Sequence, residues 1–99
     1  MNALRALADE LRRKMEHGVA VIGSVINGKA SLVCVVSDDL VRNNVKAGDI
    51  VNKVAELADG RGGGPPHMAT AGAKDVGKLP LAVQRAPVVI DSYLEQLTA

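Results

Sequence analysis

Sixteen residues at positions 60–75, GRGGGPPHMATAGAKD, hold five glycines, two adjacent prolines, His67 and the basic pair Arg61 and Lys74. Glycine lets a phosphate or sugar approach main-chain N–H groups closely, because no Cβ stands in the way and positive φ costs little. Arg61, Gly62, Gly63, Gly64, His67, Lys74 and the nearby Lys78 are therefore the candidate binding residues. The chemistry they offer is anion binding without a catalytic group. No Gly-Lys-Ser/Thr follows at P-loop spacing, and the glycines precede an expected strand rather than open a helix, which also excludes the dinucleotide fingerprint. A glycine run by itself is more often a plain surface connector.

Other side chains with reactive chemistry lack partners in the sequence. His17 and His67 lie fifty residues apart with a single cysteine, Cys34, and no HxxxH or CxxC spacing, so zinc is not expected. Asp38 and Asp39 are adjacent at the expected end of a strand, where such a pair usually caps or turns the chain. Ser37, His67 and Asp38 make a Ser/His/Asp set only on paper, because nothing marks a nucleophile elbow. No cofactor and no catalytic centre are expected in this chain.

Composition narrows the partners. A chain of 99 residues builds one domain and buries little more than about 60% of its unfolded surface. Tyr93 is the only aromatic residue, so the core must be aliphatic and base stacking cannot be the mode of recognition. The formal charge is only +1, which leaves any polyanion contact to a local patch. Residues 40–85 carry seven basic and four acidic side chains around the glycine segment. The lone Cys34 lies in an apolar run and reads as a buried, inert thiol. With no signal-peptide pattern and no apolar run near 18 residues, a soluble cytosolic chain without membrane contact is expected.

The elements that must position these residues follow from periodicity. Residues 3–17 place Leu4, Leu7, Ala8, Leu11 and Met15 three or four apart, predicting a helix capped by Asn2 and ended at Gly18, with Arg5, Arg12, Arg13, Lys14, Asp9, Glu10 and Glu16 on its other face. Residues 19–26 and 30–36 are β-branched runs joined at Asn27-Gly28, a strong hairpin signal, and the second run is continuously apolar as in a central strand. A helical turn over 40–44, a helix capped by Asn44 and stopped by Gly60, the glycine loop, a short strand at 67–71 and a helix from Leu79 complete the order. Pro87 predicts a kink or a break in that last helix. The expected fold is α/β: a small mixed sheet, made of a β-hairpin plus a crossover strand, packed with helices and preceded by an N-terminal helix.

Residues 46–76, KAGDIVNKVAELADGRGGGPPHMATAGAKDV, resemble the C-terminal globular domain of bacterial alanyl-tRNA synthetases, within the DHH-associated domain family. There a helix opening with A-G is followed by G-K-G-G-G-R-P-D-M-A-Q-A-G-G and a final helix. Gly60, Gly62, Gly63, Gly64, Pro66, Met68, Ala69, Ala71 and Gly72 match, and Arg61 replaces Lys conservatively. Pro65 stands where a basic residue is usual, His67 where Asp is usual, Thr70 for Gln and Ala73 for Gly. Pro65 thus removes a charge, part of which a protonated His67 would restore. The resemblance implies a tRNA-binding appendage that grips the tRNA elbow for alanine-specific aminoacylation and editing, both performed by other domains of the same synthetase. It also implies that residues 1–18 end a helical self-association subdomain, that the natural chain starts before Met1, that a homodimer forms through the N-terminal helix, and that residues 19–99 are the tRNA-binding unit. Two alternatives remain at this level: the phosphate-binding domain of a DHH-type phosphoesterase, whose GGGH-like segment is here split by Pro65 and Pro66, or a structural self-association module.

Overall fold

A computed structural model describes residues 2–15 and 17–98, with side chains from residue 6 onward except Glu16, Ile26 and Thr98. The expected side-chain roles of Asn2, Leu4, Arg5 and Glu16 lie outside the described residues. The element order is α1 (Asn2–Lys14), β1 (Val19–Ile26), β2 (Lys29–Val36), α2 (Asp38–Arg42), α3 (Ala47–Glu56), β3 (Gly60–Gly63), β4 (Met68–Ala73), a 3-10 turn (Val76–Lys78) and α4 (Leu79–Thr98). The α/β class is as expected, with one sheet of order β1-β2-β4-β3 and helices on both faces. All three strand pairings are antiparallel.

Three of those strands are as expected: β1, β2 and, with its bounds shifted from 67–71 to Met68–Ala73, β4. Asn27 and Gly28 adopt φ of 53° and 75°, the two successive positive values of a type I′ turn, and β1 pairs with β2 from Val19↔Val36 to Ile26↔Lys29. β2 then runs between β1 and β4, and Leu32 through Val36 are all fully buried. Its alternate residues serve two cores. Leu32, Cys34 and Val36 join Ile50, Val51 and Val54 of α3 and Leu79, Ala82, Ala86 and Tyr93 of α4. Val33 and Val35 face the opposite way, onto Ala8 of α1, Met15, Ala20, Ile22 and Met68. Cys34 sits within the first core, where burial pushes its thiol up to about 12, so it is a packing group.

Several boundaries differ from expectation. The glycine segment is not a loop: residues 60–63 form the edge strand β3, paired to β4 from Gly60↔Ala73 to Gly63↔Thr70. Gly60 is not the stop of α3 either, since that helix ends at Glu56 and the left-handed position is taken by Asp59 at φ 58°. Asn44 likewise takes a left-handed φ of 68°, and Lys46 occupies the N-cap without a side-chain cap bond. The N-terminal helix ends at Lys14, three residues early, and Gly18 instead donates its N–H to Ser37 Oγ at 3.0 Å. α4 continues through Pro87 as one helix of 20 residues, because Ala82, Ala86, Val89 and Tyr93 on either side of the proline pack into the same core. No described helix is long and apolar enough to cross a membrane.

Candidate functional site

The stretch 60–75 folds into a β3–β4 ribbon whose two ends differ in chemistry. At the turn end, Gly64 has φ 152° and the Pro66 carbonyl accepts the N–H of Ala47 at 2.9 Å, satisfying one orphan donor at the start of α3. Gly48, the second residue of α3, faces this turn, and an added Cβ would lie in ordinary contact 3.4 Å from the Gly64 carbonyl oxygen. The Gly-Gly-Pro-Pro turn thus docks on the start of that helix. Gly63, Gly64 and His67 line a small depression of about 190 Å³ there, with Pro65, Met68, Ala69 and Thr70. Gly62 lies between the two ends and its N–H is taken by Asn52 Oδ1 of α3 at 3.2 Å.

The other end is basic. Lys29, Arg61 and Lys74 line an open groove of about 840 Å³ together with Ser31, Asp59 and Gly72. The register explains the meeting. Ala30 and Gly60 both pair with Ala73, so Lys29, Lys74 and Asp59 fall in one row just beyond that pairing, and Ser31, Gly72 and Arg61 fall two rows further along, on the same face of the sheet. The ladder extends past the strands through Lys74 N–H to the Asp59 carbonyl at 3.3 Å and Asp75 N–H to the Ala58 carbonyl at 3.0 Å. All three cations are exposed, and none forms an ion pair among the described residues. One carboxylate, Asp59, sits among them.

The candidate residues therefore divide. Arg61 and Lys74 come together; Gly63, Gly64 and His67 lie at the far end of β3, about 10 Å away along the strand. Lys78 stands on the 3-10 turn beyond, paired with Asp75 at 3.8 Å. Lys29 is the member that sequence reasoning missed. It is far from Arg61 in the chain, and its only signal is its place one residue after the Asn27-Gly28 turn, which becomes informative once β4 is known to pair with β2.

The remaining polar candidates form a joint. Ser37 Oγ donates to Asp39 Oδ1 at 2.5 Å, and His17 Nδ1 pairs with Asp39 Oδ2. The Ser37 hydroxyl first, then His17, hold the Asp39 carboxyl down at about 2. The carboxylate stands between serine and histidine, so His17 cannot take the Ser37 proton, and His67 contributes nothing to this cluster. Arg12 adds a bond from Nε to the Val36 carbonyl at 3.0 Å and an ion pair with Asp38. Together these tie α1 to the end of β2. Among the described residues no three His, Cys, Asp or Glu side chains gather as a metal site.

Comparison with known proteins agrees with the resemblance. The DHHA1 domain matches residues 1–92. The alanine–tRNA ligase of Acetivibrio thermocellus is 45% identical over 94 residues, covering 95% of this chain and 11% of that protein. That of Clostridioides difficile is 40% identical over 95 residues, with 96% and 11% covered. The chain thus spans about a tenth of the length of these relatives. The crystal structure of the C-Ala domain from Aquifex aeolicus alanyl-tRNA synthetase superimposes with a TM-score of 0.75 at 32% identity, over 87% of this chain and 77% of that one. These relatives favour the synthetase reading over the DHH-type phosphoesterase one. The chain belongs to the DHHA1 domain family, as a counterpart of the C-terminal, C-Ala domain of alanyl-tRNA synthetases.

Proposed function

We propose that this domain binds tRNA as part of an alanine–tRNA ligase, holding the outer corner of the folded RNA while other domains carry out aminoacylation and editing. The observation that carries the reading is the convergence of Arg61 and Lys74 on one open groove without ion-pair partners among the described residues. Uncompensated cations on adjacent strands attract a polyanion, and their contacts position the backbone rather than read bases. Gly62, Gly63, Gly64 and His67 extend the surface toward the docked turn, and Lys78, held by Asp75, adds a further basic side chain to the expected set. Tyr93, the one aromatic side chain, is buried, so recognition is by shape and phosphate. Selection of alanine tRNA then falls to other parts of the ligase, and a cytoplasmic location follows from that role.

Titration of labelled alanine tRNA onto the 99-residue chain at low salt tests the reading. Binding should weaken with salt, and Arg61→Ala combined with Lys74→Ala should reduce the slope of log K against log salt by about 2. A non-cognate tRNA should bind the isolated domain equally well. Absence of binding at low salt removes the proposal.

Self-association through α1 has one observation in its favour. Ala8 is fully buried against the sheet, yet its neighbours Leu7 and Leu11 remain 54% and 36% exposed. Sedimentation equilibrium of the chain and of a Leu7→Glu/Leu11→Glu variant tests it: a dimer that the variant dissociates supports the role, and a monomeric parent excludes it for this chain.

A further inference from the structure

Two glycines of the ribbon have no internal reason to be glycine. A Cβ added at Gly63 or Gly72 meets nothing within 4 Å, and neither residue has a positive φ. Glycine inside a strand weakens it, so these positions lower stability without helping the fold pack. Gly72 also has a telling location. It lies between Ser31 and Arg61 in one row of the sheet, and the row two positions away, on the same face, holds Lys29 and Lys74. Three cations, on β2, on β3 and just past the end of β4, thus line a groove of about 840 Å³ along with a stretch of bare main chain. Asp59 is the only acid lining it, and no aromatic side chain does.

We infer that Lys29, Arg61, Lys74 and the bare floor at Gly72 form a single contact for a sugar–phosphate backbone, with Lys29 as its third cation and the ribose or phosphate lying directly on the main chain of Gly72. The inference rests on the tRNA-binding reading and says which residues make the contact. Two of them, Lys29 and Gly72, are not among the glycine-loop candidates. A side chain at Gly72 would lift the backbone away from cations whose attraction falls with distance.

The test pairs tRNA binding by fluorescence anisotropy with thermal melting of the same 99-residue chain. Lys29→Ala should lower the salt slope by about 1. Gly72→Ala should weaken tRNA binding roughly tenfold, as a steric misfit at a close contact does, while the melting temperature stays the same or rises. Lys14→Ala, on α1, should match the parent. If the parent binds tRNA and both Lys29→Ala and Gly72→Ala bind as tightly, the contact is overturned and the tRNA reading stands. If the parent binds no tRNA, both fall. A clear loss of melting temperature in Gly72→Ala also overturns the inference, because the glycine would then belong to the fold.

Discussion

The glycines of the β3–β4 ribbon divide into two kinds, although the sequence presents them as one run. Gly60 and Gly62 press on β4: an added Cβ would stand 2.1 Å from the Gly72 and Thr70 carbonyl oxygens respectively. Gly63 and Gly72 face open space. The first pair exists so that an edge strand can lie close on its neighbour and under α3, where Ala71 and Ala69 keep the layer thin. The second pair leaves main chain bare. One glycine-rich motif therefore does two unlike jobs, packing on its core side and exposure on the other, and only the first is needed for folding.

The largest effect should come from the packed pair. Gly62→Ala places a methyl group 2.4 Å from the Ala71 Cα, a conflict that only separation of β3 from β4 relieves. We expect a loss of about 3 kcal/mol or more in urea unfolding, and Gly63→Ala should stay within about 0.5 kcal/mol of the parent or gain slightly. Equal effects at the two positions would erase the distinction.

Asn52→Ala probes the same side more gently. Its Oδ1 accepts the Gly62 N–H and anchors the edge strand to α3. Removing one hydrogen bond at an exposed site should lower stability by about 1 kcal/mol in the same measurement. If the loss matched that of Gly62→Ala, the anchor rather than the close strand approach would dominate.

How much of this the sequence could show depended on whether the cause was local. The Asn27-Gly28 turn, the continuously apolar β2 and the apolar period of α4 were readable because turn chemistry and burial leave marks within a few residues. Pro87 predicts a kink or a break by a local rule, but a helix packed into the core on both sides of the proline stays unbroken. Gly60 looked like a helix stop because glycine tolerates the left-handed conformation, yet Asp59 adopts it and Gly60 is needed for pairing. The site was half legible. Arg61 and Lys74 flank the motif, whereas Lys29 joins them only through the non-local order β2-β4-β3, which no spacing encodes.

On the open side, Asp59 offers a finer test. It holds a φ of 58° and is the one carboxylate among the cations of the groove. Asn tolerates that conformation at least as well, so Asp59→Asn should leave stability unchanged. Removing the opposing charge should raise tRNA affinity by roughly two- to fivefold at low salt, the scale of one exposed charge interaction. An unchanged affinity would mean that the polyanion does not enter the groove beside Asp59.

The smallest effect concerns the part of the same sheet face that α1 covers. Val33 and Val35 are buried there under Ala8, and the Ser37–Asp39–His17 joint holds α1 near the end of β2. The folded Asp39 carboxyl lies below its unfolded value of about 3.9, so its contribution is complete above that pH and fades as pH falls toward about 2. Ser37→Ala removes the largest cause of the shift. The Asp39 titration, followed by NMR of its side-chain carboxyl, should move toward the ordinary aspartate range, and acid loss of structure should begin at higher pH. At neutral pH tRNA binding should not change, because the joint and the groove lie at opposite ends of β2. A change there would mean that α1 and the open ribbon act as one surface, and the division of this face into a covered half and a binding half would have to be redrawn.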